Sequence, residues 1–307
     1  MLPHLKKTVS QQIFDAFNIA FLGAFGLLCF LPFWYVLIAS FNVGTDFTKG
    51  GVYLFPRLFT LENYQQAFKN KQIVAAFTVS VIRTASVVAG GLLVSALAAY
   101  AMHVRTLPGR AAIFMFFYIP TILSGGLIPY YILLRTLKLT SSILIYILPS
   151  IYGFFNIVLM RIYFDTNVPS DIREAASIDG ASDLKILMRI YLPLATPVLA
   201  TLALFIGVGN WNEWFTGAYF VSNKDLWPAA TLLQKILNEA AARPAMSTDA
   251  TAGSSSANMN ALVMTQTVTS QSLQMAFVMI LTMPIIVVYP FLQKYYVKGI
   301  MVGSIKG

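Results

Sequence analysis

Long uncharged blocks alternate with short polar ones along this chain. Residues 16–45 carry no charged side chain, nor do 111–134, 139–160, 190–212 and 250–293, and the block 72–102 carries only Arg83. A helix needs about 20 mostly apolar residues to cross the hydrocarbon core of a bilayer. Six segments meet that length, at roughly 16–41, 74–101, 111–134, 140–162, 194–216 and 273–293. The pattern predicts an all-α polytopic membrane protein with a six-helix transmembrane domain over 16–293, an N-terminal segment 1–15 and a tail 294–307.

Six spans put both termini on one side. With the N-terminus in the cytoplasm, the inner segments hold eleven Lys and Arg residues and the longer outer ones hold nine, a weak bias toward that orientation. The outer loop 42–72, with Pro56, Tyr53, Phe55 and Tyr64, reads as a folded cap. The outer loop 222–272 opens with Leu226, Leu232, Leu233, Ile236 and Leu237 at near-helical spacing. It continues into the small, polar "STDATAGSSSAN".

Composition sharpens this picture. The chain is 57% hydrophobic and 11% charged, with a mean hydropathy of +0.70, which excludes an ordinary soluble domain. The net charge of +9 resides mostly in loops, without the interleaved aromatics of a nucleic-acid surface. The single cysteine, Cys29, falls inside the first span, so there is no disulfide framework and no metal-ligand spacing. His4 and His103 stand alone in polar flanks and read as solvated or headgroup-facing. The first apolar run is too long for a cleaved signal and reads as a retained span. No phosphate-binding G-x-x-x-x-G-K-[ST] occurs, and no nucleophile–base arrangement is evident. The chain is therefore expected to be no enzyme and to bind no cofactor or metal itself.

The segment 165–193 breaks the apolar rule. Pro169, Ser170 and Asp171 can stop one helix and start another. Asp171 and Glu174 then place negative charge on its first turn, and Ile172, Ala175 and Ala176 share a flat face. Gly180 suits a left-handed helix terminus. Ser182 can cap a second helix with Leu184, Leu187, Met188 and Tyr191 on its apolar side. Pro193 and Pro197 suit the opening turn of the next span. Such a hairpin could enter a groove on another protein, or lie as an amphipathic loop on the bilayer.

"EAASIDGASDLKILMRIYLP" resembles the loop signature of permease subunits in binding-protein-dependent ABC importers, through Glu174, Ala175, Ala176, Asp179, Gly180, Ala181, Ile190, Leu192 and Pro193. "LPFWYVLIASF", "LENYQQAF", "LPGRAAIFMFF", "SGGLIPYYILLRTLKL", "GNWNEWF" and "QKYYVKGIMVGSIKG" extend the likeness to maltose-type carbohydrate permeases. It is greatest to the branch served by lipoprotein receptors for complex oligosaccharides. The resemblance implies the type I importer permease fold in the bacterial cytoplasmic membrane, with both termini inside. It implies a cytoplasmic coupling helix docked on an ATPase subunit, Glu174 pairing with a basic residue there. Lys298, Gly299 and Gly303 would lie in a tail that reaches the ATPase dimer, the other reading being a disordered end. Implied partners are a sister permease, two ATPase subunits that hold ATP and Mg2+, and an extracytoplasmic solute-binding protein. The implied activity is ATP-driven import of a sugar or oligosaccharide by alternating access, the alternative cargo being a non-sugar solute such as a polyol phosphate. A secondary transporter, the remaining alternative, would need ion-coupling acids within the spans, and these spans are almost free of charge.

Candidate substrate-path residues come from two places. Arg83 sits inside the second span, where an unpartnered charge costs about 2.5–3.5 kcal/mol. It can pair with Glu213, line a cavity with it, or snorkel alone to the headgroups. Asn210, Trp211, Asn212, Glu213 and Trp214 offer the amides, carboxylate and indoles that sugars use, although Trp also anchors membrane interfaces. Ser124, beside Gly125 and Gly126 in "PTILSGGLIPYY", marks a stretch that can bend a path-lining helix or let helices pack closely.

Overall fold

The computed structural model describes residues 8–104, 106–242 and 267–304, with the backbone alone for 170, 240–242 and 291–304. Among them every regular element is a helix, and one isolated bridge pairs Asn42 with Phe59. The chain divides into two compact units, Met1–Lys69 with Ala240–Ile280, and Asn70–Glu239 with Leu281–Gly307.

The first unit is built on α1 (Val9–Ser40), which opens with a capping box between Thr8 and Gln11. Only Ile38, Ala39 and Ser40 of this helix are buried. Beyond it come α2 (Gly44–Phe47) and α3 (Glu62–Lys69), folded as a cap over the helix end. Asn63 pins this cap. Its fully buried amide donates to the carbonyls of Ser40 (2.8 Å) and Asn42 (2.9 Å) and accepts from the Ser272 hydroxyl (2.8 Å). Gly44 donates to the Thr267 carbonyl at 2.7 Å, and a Cβ there would lie 2.5 Å from the Thr269 nitrogen, so only glycine fits.

The second unit is organised around α4 (Lys71–His103). It packs chiefly against α8 (Phe154–Asn167) and α12 (Thr196–Asn212). Small residues permit the approach. A Cβ on Gly90 would meet Ile151 at 2.8 Å, and one on Gly91 would meet Ile206 at 3.3 Å. The remaining helices are α5 (Arg110–Ile122), α6 (Leu127–Thr136), α7 (Leu144–Ile147), α9 (Ser170–Ile178), α10 (Asp183–Ile186), α11 (Leu192–Leu194), α13 (Phe215–Phe220) and α14 (Ala229–Ala242). The long α15 (Ser270–Ser304) contributes residues to both units.

The six apolar segments are not six uninterrupted rods. Among the described residues, α1, α4 and the Ser270–Pro290 part of α15 are each long and apolar enough to span alone. The third segment is α5 and α6, bent by 117° at Leu123–Gly126, where Gly126 has φ +82°. The fifth is α12, bent by 83° from the helical run Asp183–Leu194 that precedes it. The fourth, 140–162, divides into α7 and the start of α8 across Pro149 and Gly153. Proline cannot donate to the preceding turn, and a Cβ on Gly153 would meet Asn156 Nδ2 at 2.6 Å. The helix in the 222–272 loop starts at Ala229, after Pro228, so Leu226 lies outside it in a short 3₁₀ turn. Residues 243–266 lie outside the described residues.

Arg83 closes the break after α12. Its side chain is 1% exposed. It ion-pairs with Glu213 at 3.2 Å, donates to the Glu213 carbonyl at 2.6 Å and to that of Asn210, and lies 5.1 Å from the Tyr146 ring centroid. The guanidinium thus caps carbonyls left over at a helix C-terminus, while Glu213 Oε1 accepts from the Thr216 N–H (2.7 Å) at the N-terminus of α13. The pairing reading of Arg83 is the one the geometry shows, and snorkelling is not. Arg83→Met is accordingly expected to cost about 1–3 kcal/mol, the usual penalty for leaving buried carbonyls unpaired, since Glu213 is itself partly exposed. A thermal melt of the detergent-purified protein measures it. A snorkelling arginine would give a neutral or raised midpoint, and that outcome would remove the assignment.

Candidate functional site

The polar hairpin between α8 and α12 carries the sequence signature. Pro169 occupies the N-cap position of α9, one residue before the expected Ser170, and Asp171 lies in the first turn. The helix ends in a Schellman motif. Ala181 N–H donates to the Ala176 carbonyl (3.0 Å) and Gly180 N–H to that of Ser177 (3.1 Å), with Gly180 at φ +76°. Ala176 and Ala181, which this motif brings together, pack on the core of the second unit. Glu174, Ala175, Asp179 and Gly180 face outward.

The second arm departs from the expected register. Ser182 is at the N-cap but makes no side-chain bond there. After α10 the chain widens into a π-helical turn, Leu187–Tyr191, before α11. That turn holds Arg189, whose carbonyl the ring of Pro193 would crowd in a regular α-helix. The extra residue per turn rotates the buried face to Ile186, Leu187, Tyr191 and Ala195. Leu184 and Met188, expected inside, are 58% and 43% exposed. Ile190 packs partly against the same core, and Pro193 is exposed.

A polar and aromatic clasp ties this hairpin to α4 and α8. Tyr100 donates to Asp183 Oδ1 (2.9 Å), which also faces Arg173 at 3.5 Å. His103 Nδ1 lies 2.5 Å from Asp165, and its Nε2 lies 3.0 Å from the Tyr191 hydroxyl. With Nδ1 donating to the carboxylate, a neutral ring leaves Nε2 to accept from the tyrosine. Burial raises the Tyr191 phenol above its ordinary value, Arg173 pulling it the other way, so it stays a donor. Tyr191 stacks edge-on against Tyr100 (5.0 Å) and Phe164 (5.2 Å). The reading of His103 as an isolated solvated residue is therefore wrong, because the fold brings Asp165 and Tyr191 to its two nitrogens. Nothing in the local sequence joins residues this far apart. A polar cavity of about 580 Å³ adjoins the clasp, lined by His103, Asp165, Asn167, Arg173 and Glu174 among others.

The candidate path residues do not act as one group. Trp211 is 6% exposed, donates to the Leu281 carbonyl at 2.9 Å and meets Phe77 edge-on at 5.5 Å, so it is a packing residue. The Asn210 and Asn212 amides donate back to Ile206 and Val208. Ser124 is exposed and accepts from Gly126 N–H at 3.3 Å within the bend. Trp214 instead joins a cluster absent from the sequence reading, with Phe215, Tyr219, Phe220, Tyr130 and Tyr131. The aromatic density of "FTGAYF" and "PYY" was the available signal. Lys298, Gly299 and Gly303 fall in the last turns of α15, where their side chains lie outside the described residues. Among the described residues no group of His, Cys, Asp and Glu could hold a metal ion.

This chain is similar to known proteins. The family model of the binding-protein-dependent transport system inner membrane component matches residues 91–302. LplC of Bacillus subtilis is 32% identical, over 99% of this chain and 98% of its own. The polygalacturonan/rhamnogalacturonan transport system permease protein YtcP of the same organism is 32% identical, over 97% and 100%. A chain in the crystal structure of a bacterial ABC transporter that imports the acidic polysaccharide alginate superposes with a TM-score of 0.83 at 27% identity, over 95% of this chain and 99% of that one. An all-helical membrane chain with a signature hairpin bound into its helices, matched over more than half its length by that model, belongs to the inner membrane components of binding-protein-dependent transport systems.

Proposed function

We propose that this chain is the permease subunit of an ATP-driven importer of a sugar or oligosaccharide, and that the hairpin Ser170–Leu194 is the handle by which an ATPase moves it. One observation carries the reading. The inner face of the hairpin is fastened to α4 and α8, while Ile178 (87%), Leu184 (58%) and Met188 (43%) are exposed and Glu174 also faces outward. Apolar side chains exposed outside the apolar spans call for a protein partner. The names of YtcP and of the alginate importer support a saccharide cargo. The partners that follow are a sister permease, two ATPase subunits holding ATP and Mg2+, and an extracytoplasmic solute-binding protein. Both termini then face the cytoplasm, in line with the basic-residue bias. Asn212, Glu213 and Trp214, with Phe215 and Tyr219 beside Trp214, remain our candidates for sugar hydroxyls and C–H faces.

Two variants test the handle. Ile178→Asp removes a side chain that is 87% exposed, so stability should change by no more than about 0.5 kcal/mol. Association with the ATPase should nevertheless be lost on co-purification, and retention would defeat the docking role. Tyr100→Phe combined with Tyr191→Phe removes the two clasp hydroxyls, each worth about 1 kcal/mol. The ATPase should still co-purify, while sugar taken up per ATP hydrolysed in proteoliposomes should fall. An unchanged ratio would show that the clasp transmits nothing.

A further inference from the structure

We propose that the segment Tyr53–Phe55 of the cap is a membrane-interface wedge, inserted in the leaflet away from the N-terminus. The chain leaves α1 at Ser40, and residues 58–60 return to the level of the helix end, with Val43 N–H donating to Leu58 (2.9 Å) and Thr60 N–H to Phe41 (2.8 Å). Between these points it does not stay above the helix. The Trp34 indole donates to the Leu54 carbonyl at 3.1 Å. Trp34 precedes Ser40 by six residues, so the tip descends about 9 Å alongside α1 at 1.5 Å per residue.

The depth of that level follows from the helix itself. Asp15 is the last charged residue before the uncharged run, and Trp34 lies nineteen residues further on, about 28 Å along the axis. The hydrocarbon core is about 30 Å thick. With Asp15 at one boundary, Trp34 and Leu54 lie at the other, where indoles concentrate. The wedge has the chemistry of that zone. Residues 50–56 are uncharged, and Tyr53, Leu54 and Phe55 are 70%, 63% and 75% exposed. Val52 is buried and anchors the strip.

A polar collar lies next to the wedge in sequence. Arg57 bonds Asp46 at 3.1 Å and the Gly50 carbonyl at 2.6 Å. The Asn42 amide and the Arg57 guanidinium hold the Asp46 carboxyl below its ordinary range, so it stays ionised. Apolar tip and charged collar match the headgroup–acyl boundary that interfacial segments occupy. A docked protein would be the other covering, but a tip that folds down along a span favours phospholipid.

A photoreactive benzophenone amino acid placed at Tyr53, at Phe55 or at the exposed Lys49, in membranes of cells expressing the complete importer, separates the two. Mass spectrometry should find phospholipid adducts at positions 53 and 55, several-fold above position 49. Adducts to the binding protein or to a sister permease, or equal yields at all three positions, would overturn the wedge. Neither result bears on whether the hairpin docks an ATPase, which the co-purification above reads separately.

Discussion

Hydrocarbon offers no water to an unpaired backbone group, and each break in a membrane helix must therefore be closed by the protein itself. This chain breaks repeatedly, and at several of the breaks side chains meet the cost. Arg83 takes the carbonyls of Asn210 and Glu213. Thr231 takes that of Trp214 at 2.9 Å, and Glu213 takes the Thr216 N–H. Ser80 accepts the Ala229 N–H at the start of α14 at 2.9 Å, and Tyr163 donates to the Leu194 carbonyl at 3.2 Å beside the bend that precedes α12. The few polar side chains inside the spans are thus structural cement. They permit bent, interrupted helices within the membrane.

The same economy explains the hairpin. A nine-residue helix, a glycine turn and a second short arm would be marginal alone. Their stability comes from the apolar core formed by Ile186, Leu187 and Tyr191 with α4, α8 and α12. The clasp through Tyr100, His103, Asp165, Arg173 and Asp183 adds direction. It fastens the hairpin to the ends of α4 and α8. The π turn before Pro193 matters because it sets which residues face inward and which remain available to a partner.

How much of this could be read beforehand depended on distance along the chain. Apolar run length revealed the spans, and the spacing of Glu174, Gly180 and Pro193 revealed the hairpin and its left-handed glycine. The Arg83–Glu213 pair was legible because a charge in hydrocarbon must find an opposite one, and few acids lie at that depth. His103 was misread, since its partners are 62 and 88 residues away. Trp211 was read as either a sugar contact or an interfacial anchor, because composition cannot reveal that an indole is buried. Leu184 and Met188 were placed inside because a regular helical period was assumed where a π turn shifts it.

By itself, the sequence determined that the chain is helical, crosses a membrane and carries a polar punctuated hairpin, because those properties depend on local runs of residue type. Only the tertiary structure decided where the spans break, which side chains close the breaks, and which face of the hairpin remains free. Those outcomes depend on which distant backbone groups and side chains come within hydrogen-bonding reach, and local pattern carries no record of that.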